Sequence, residues 1–295
     1  MPLPTVEAAR YVTPLREGGS LPAVVEDTDG ERWVVKFRGA GQGARALLAE
    51  LLAGGLARRL GLPTADLALV HLADGFGHSE PDPEIQDILK GSGGLNVGLR
   101  FVPSAFNFET AAFSDLVPPA LAADLIWFDA LVLNVDRGPR NPNLLVTRAD
   151  GSVEGDGLGA LLDGARLWLI DHGAALYVHH DWPSVTPERA RAPFPLIERH
   201  VLMPRASAIG AADERLAPRL TPDVIDSALA DLPDALLTAA PPGHDAPFPD
   251  GDAARAAYRA FLTARLEAPR AWVDAAEAAR VRAQSAAPER LRYRR

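Results

Sequence analysis

The sequence predicts an α+β chain in two parts, an antiparallel sheet carrying one helix and then a mainly helical remainder. Three observations lead there. Short apolar runs broken by Gly and Asp turns crowd residues 10–37. A leucine-rich run at helical spacing follows over 44–60. Beyond residue 106 the apolar pattern is mainly of helical period, and periodicity is the main guide to element type. The expected division is therefore 1–105 and 106–295.

Taken in order, strands are expected at 10–13, 21–26 and 31–37, all antiparallel. Asp27-Thr28-Asp29-Gly30 joins the last two, because Asp and Gly tolerate the left-handed dihedrals of hairpin loops. The helix at 44–60 places Leu47, Leu48, Leu51, Leu52, Leu56 and Leu60 on its apolar side and stops at Gly61, with Pro63 beyond. A fourth strand is expected at 65–72, a loop with one short helix at 74–94, and a linker at 101–107. Pro118-Pro119 opens a helix bearing Leu121, Leu125, Phe128 and Leu131 that runs into Leu133-Asn134-Val135-Asp136. Strands at 143–147 and 167–171 flank an insertion with turn residues at Asp150-Gly151 and Asp163-Gly164. Further helices are expected from Pro187, from Pro222 behind a Thr221 cap, and over 253–266.

Composition narrows the chemistry. With no cysteine among 295 residues, disulfides, thiolate metal sites and cysteine nucleophiles are excluded. A formal charge of -9 argues against nucleic-acid or anionic-membrane partners. No apolar run reaches the roughly 18 residues that span a bilayer, and the N-terminus has no basic start or apolar signal core. A cytoplasmic protein is expected. Arg290, Arg292, Arg294 and Arg295 read as a solvated tail.

A sheet with one helix joined to a helical half is the outline of a protein-kinase-like fold, and phosphoryl transfer needs few groups there. A glycine turn brings N–H groups to phosphate oxygens, a lysine neutralises the α and β phosphates, and a helix glutamate holds that lysine. Gly18-Gly19-Ser20, Lys36 and Glu50 occur in that order. Metal ions that bridge phosphates take hard oxygen ligands, typically a carboxylate and an amide. Asp136 and Asn141, spaced Asp-x4-Asn before a strand, and Asp171, after an apolar strand, supply them. Asp171 reads as the metal ligand, Asp136 as the base for the attacking hydroxyl, and Asn141 as the ligand of a second metal. Asn143, just before Leu144-Leu145-Val146, competes for that role, and the spacing from Asp136 favours Asn141.

These residues resemble the HipA-like kinases, relatives of protein kinases and of phosphoinositide-3/4-kinases. The resemblance covers residues 5–180 and rests on Gly18-Gly19-Ser20, Lys36, Glu50, the segment from Asp136-Arg137 to Asn143-Leu144-Leu145, and Asp171. It implies ATP and Mg²⁺ as cofactors, with Lys36 on ATP, Glu50 as its partner, Asp136 catalytic, Asn141 on Mg²⁺ and Asp171 as the second metal-binding aspartate. It also implies a serine or threonine acceptor and, as for the family's toxins, an antitoxin-like partner. Gly138 stands where the family commonly has histidine, two places after the catalytic aspartate.

Alternatives are a small-molecule kinase of the aminoglycoside or choline type, a nucleotide-binding pseudokinase scaffold, and an ATP-grasp-like ligase. Small-molecule kinases usually carry His-x-Asp at the loop, where this chain has Asn134. Elsewhere, His179-His180-Asp181 reads as a solvated loop rather than a metal cluster. Ser92, in Gly91-Ser92-Gly93-Gly94, reads as part of a flexible loop, with autophosphorylation as the family-derived alternative. Trp127, Trp168 and Trp182 are expected to pack rather than to stack on a ligand.

Overall fold

The computed structural model describes residues 3–15, 21–41, 43–78, 80–148, 165–240 and 245–286. The Gly18-Gly19-Ser20 turn, the insertion over 150–164 and the arginine-rich tail lie outside them.

The hairpin turn is built by the side chain of Asp27. Its Oδ1 accepts from the N–H of Asp29 at 3.0 Å and of Glu31 at 2.9 Å, and its Oδ2 from Trp33 Nε1 at 2.8 Å. Gly30 closes the turn at φ 80°, a conformation that favours glycine. Strands β2 (Ala23–Asp27) and β3 (Arg32–Lys36) thereby pair antiparallel with Val24 opposite Val34. β1 (Thr5–Pro14) pairs antiparallel with β2 and starts well before residue 10, where the sequence reading began it.

β4 (Leu67–Leu72) runs parallel to β1, and β5 (Gly94–Arg100) pairs antiparallel with both β3 and β4. The result is a closed barrel in the order β1-β2-β3-β5-β4, not an open sheet. β5 escaped the sequence reading because its two glycines and Asn96 break the apolar alternation. Gly98 is required by close approach, since a Cβ there would lie 2.7 Å from Val70 Cγ2 and 3.3 Å from Trp33 Cβ. Val25, Trp33, Val35, Val70 and Leu72 fill this core, and Ile85 and Leu89 of α2 (Pro83–Lys90) cover it.

The predicted leucine helix is α1 (Gly43–Leu60), and its leucines join the larger core that runs through the helical half rather than the barrel interior. Arg59 Nη2 fastens it there, donating to the Ser227 carbonyl at 2.9 Å and to Asp231 Oδ2 at 2.8 Å. The expected linker ends as a short strand: β6 (Phe106–Asn107), β7 (Leu144–Arg148) and β8 (Ala165–Leu169) form an antiparallel three-stranded sheet.

Helices α3 (Thr110–Phe113), α4 (Pro119–Leu131), α5 (Pro187–Arg191), α6 (Ile209–Leu216), α7 (Pro222–Ala230), α8 (Asp234–Leu237), α9 (Gly251–Leu266) and α10 (Ala271–Ala286) complete the described elements. Thr221 caps α7, as expected. The sequence reading lacked α3, α6, α8 and α10; the buried stripe of α10 is Trp272, Val273, Ala276 and Ala279, too poor in large apolar side chains to stand out. Trp127 is fully buried, its ring 5.5 Å from that of Trp272. Trp182 packs edge-on against Tyr258 and Phe248, and half-buried Trp168 lies under the Arg166 guanidinium at 3.9 Å. No single described helix is long and apolar enough to cross a membrane.

Gly98→Ala is expected to overpack the barrel and lower unfolding free energy by about 1–3 kcal/mol, read from urea denaturation followed by circular dichroism. An unchanged midpoint would mean that Val70 and Trp33 can yield to the added methyl group.

Candidate active site

Lys36 ends β3 on the face opposite the core residues Trp33 and Val35, and it is buried there. Its Nζ donates to Glu50 Oε2 at 2.6 Å and is also paired with Asp171 Oδ1. Burial alone would lower the lysine pKa, but the charges of Glu50 and Asp171 outweigh it and raise it, so Lys36 stays cationic. Glu50 lies inside α1 with no exposed surface. Burial would raise its pKa, yet Lys36 and a hydrogen bond from His172 hold it well below the usual carboxylate range.

His172 closes the arrangement, and sequence reasoning missed it. Its backbone N–H donates to Glu50 Oε2 at 2.9 Å, its Nδ1 lies 3.3 Å from Glu50 Oε1, and its ring meets Phe128 edge-on. The chain reaches this position through Asp171 at φ 54°, the left-handed region that Asp and Asn tolerate best. A Cβ at Gly173 would lie 3.3 Å from Lys36 Nζ and 3.4 Å from Asp171 Oδ1, so glycine keeps the space beside the ion pair open.

The second group of residues hangs from the C-terminal end of α4. Asp136 Oδ2 accepts from Asn141 Nδ2 at 2.7 Å, and Asn143 Nδ2 donates to the Asp136 carbonyl at 2.6 Å. In both asparagines the amide nitrogen is committed to Asp136, and the side-chain oxygen has no donor among the described residues. Burial raises the Asp136 pKa and the charge of Asp171 adds to it, against the lowering by the two asparagine hydrogen bonds; the net direction is up. The five residues picked from the sequence, Lys36, Glu50, Asp136, Asn141 and Asp171, thus fall into two groups joined electrostatically through Asp171, and Asn143 joins the second. The assembly offers a fixed cation, two interacting carboxylates, one of raised basicity, and amide oxygens.

Beneath the loop lies a buried network that the sequence did not reveal. Asp129, on α4 and without exposed surface, accepts from Arg137 Nε at 2.5 Å, Asn134 Nδ2 at 3.0 Å and His200 Nε2 at 3.0 Å. Arg137 Nη1 donates to the carbonyls of Asn143 and, at 3.3 Å, Ile170, so one guanidinium fixes the chain on either side of the site. Burial would raise the Asp129 pKa, but Arg137 and His200 pull it well below the carboxylate range. His200 Nδ1 accepts from the Leu202 N–H at 3.1 Å, which makes Nε2 the protonated nitrogen of a neutral ring. Burial and the Arg137 charge lower its pKa despite Asp129. The Val201 N–H also donates to the Arg137 carbonyl at 2.9 Å, bringing residues 195–201 alongside the loop.

Two expectations are corrected. Tyr177–His180 is a 3₁₀ turn packed against α9, not a solvated loop; His179 is buried, with Nδ1 2.9 Å from the Tyr258 hydroxyl. Ser92 is buried too. Its hydroxyl donates to the Ile88 carbonyl at 2.6 Å and accepts from the Gly39 N–H at 3.0 Å, so it ties α2 to the end of β3 instead of lying in a flexible loop.

Residues 9–154, which hold Lys36, Glu50, Asp136, Asn141 and Asn143, match the family model of HipA-like kinases. The matched segment is 146 of the 295 residues, just under half of the chain. Among solved structures, the Helicobacter pylori proinflammatory kinase CtkA is similar with a TM-score of 0.50 at 12% identity, covering 95% of this chain and 98% of that one. At that identity the likeness is one of fold, and it extends past residues 9–154 into the helical half. No curated protein matches the sequence.

Asp129→Ala would leave Arg137 as a buried charge without its carboxylate, and a loss of about 3–5 kcal/mol is expected in urea denaturation. A change below about 1 kcal/mol would mean that the network does not hold the loop. The histidines set an acid limit. Burial, with His180 and Arg45 nearby, lowers His179 to about 3, whereas its ordinary value is 6.5. The unfolded chain therefore binds the extra proton first, so stability is complete above roughly pH 6.5 and falls as pH drops below it. For His179 alone the loss from pH 7 to pH 5 is about 2 kcal/mol. A thermal midpoint that stays level between pH 7 and pH 5 would contradict this.

Proposed function

We propose that the chain is an ATP- and Mg²⁺-dependent phosphotransferase that moves the γ-phosphoryl group of ATP to a protein serine or threonine hydroxyl. Its lobes would be residues 1–105 and 106–295, with the nucleotide between them near 101–107. The observation that carries this reading is the single buried lysine held by both Glu50 and Asp171, with Arg137 tying the Asp136 loop to the residue before Asp171. The match of residues 9–154 to the family model of HipA-like kinases supports it.

In this reading Lys36 lies against the α and β phosphates, and Glu50 and His172 keep its ammonium extended. Gly18, Gly19 and Ser20 would cover the phosphates with backbone N–H groups. Asp136 orients the acceptor hydroxyl and takes its proton, a role that its raised pKa favours. The donor set fits a magnesium ion: oxygen atoms only, from Asp171, Asn141 and Asn143. Among the described residues no group of three or more His, Cys, Asp or Glu is placed to hold a metal ion by itself. Mg²⁺ would neutralise the charge that develops on the β and γ phosphates.

At Asn134, where small-molecule kinases usually carry histidine, Oδ1 accepts from the Asp136 N–H at 3.1 Å and the amide donates to Asp129.

Asp136→Ala is expected to bind Mg-ATP as the parent does in calorimetry while phosphoryl transfer falls at least about 10²-fold. Turnover equal to the parent's would remove Asp136 from the mechanism.

A further inference from the structure

We propose that the acceptor is a protein segment carrying carboxylates beside the phosphorylated hydroxyl, recognised by Arg140 and Arg199. The inference deepens the kinase reading and rests on it.

This chain has a net charge of -9, and most described arginines bond a carboxylate or a backbone carbonyl. Four described arginines, Arg38, Arg140, Arg199 and Arg219, make no side-chain hydrogen bond, ion pair or ring contact, and all four are exposed. Two of these four flank Asp136. Arg140 lies within the loop between Asp136 and Asn141, whose ends are drawn together by the Gly138–Asn141 bridge. Arg199 comes from the 3₁₀ turn Pro195–Arg199, which the Val201-to-Arg137 and His200-to-Asp129 bonds hold against that loop. The approach is close, for a methyl group at Gly138 would sit 3.6 Å from the Arg199 carbonyl oxygen. The nearest acid in sequence, Glu198, is turned to Arg282 at 3.6 Å.

An acceptor hydroxyl that gives its proton to Asp136 must come within about 3 Å of that carboxylate, so its neighbours lie over the adjoining rim. That rim carries two uncompensated guanidiniums, whose fork geometry suits carboxylates. It also exposes apolar surface: Val135, next to Asp136, is 45% exposed and Leu196, in the Arg199 turn, 43%. Cations beside apolar patches match an acidic polypeptide better than a small polyol.

The test compares dephosphorylated casein, an acidic protein, with histone H1, a basic one, as acceptors from radiolabelled Mg-ATP, using the whole chain and its R140E/R199E double variant. Casein should be labelled and histone not. In the variant KM for casein should rise at least tenfold while KM for ATP is kept, and salt should weaken casein labelling in the parent. Because both side chains are exposed and unpartnered, the variant should melt where the parent does. Equal labelling of the two proteins, a variant with an unchanged KM for casein, or ATP turnover with neither protein labelled would overturn the proposal. A rise in KM for ATP instead would assign the arginines to the nucleotide, and overturn it too. If the parent turns over no ATP at all, the kinase reading fails and this inference fails with it.

Discussion

A carboxylate with no exposed surface can stay ionised only if its surroundings replace the water it has lost, and the site is organised around one such group. Glu50 accepts from a lysine on the barrel, from a backbone N–H beyond β8, and faces the ring of the same histidine. Three stretches distant in sequence are thereby fixed relative to one another at a single point. Lys36 in turn gains its second partner, Asp171, only because that loop is already tied to Glu50.

Asp129 does the same from the other side. Its guanidinium partner Arg137 reaches the Ile170 carbonyl, one residue before Asp171, while the His172 N–H on the far side belongs to Glu50. Asp171 is therefore clamped from both flanks, which is how it remains at φ 54° when an unstrained backbone would relax. Strain of this kind persists only where neighbouring contacts over-determine it, and it typically marks working residues. Asn143, at φ 50° and with its carbonyl bonded to Arg137, is held in the same way.

What the sequence discloses follows from how local each signal is. The Asp27-to-Gly30 turn, the leucine side of α1 and the Thr221 cap are written within a few residues, and all three are found. Lys36, Glu50 and Asp171 were picked from the sequence by residue type and order, and the fold brings them together, as it does Asp136 and Asn141. Closure of the barrel was not, since it depends on a parallel pairing between β1 and β4 about sixty residues apart and on a glycine-containing β5 with no clear alternation. The Asp129, Arg137 and His200 network was equally hidden: its members are scattered over some seventy positions, and a lone buried histidine leaves no pattern. His179 was misplaced for the same reason, as only the fold reveals Tyr258 beside it.

The attachment of α1 has a regulatory meaning. Kinase-like enzymes can be silenced by rotating the glutamate-bearing helix outward so that the lysine loses its partner. Here that helix is bolted to the opposite half, by Arg59 on Ser227 and Asp231 and by leucines shared with the helical core. Rotation would tear open the main core, so the helix behaves as a girder rather than a lever. In the kinase reading proposed above, control would then act on what enters the site and not on whether the site is assembled.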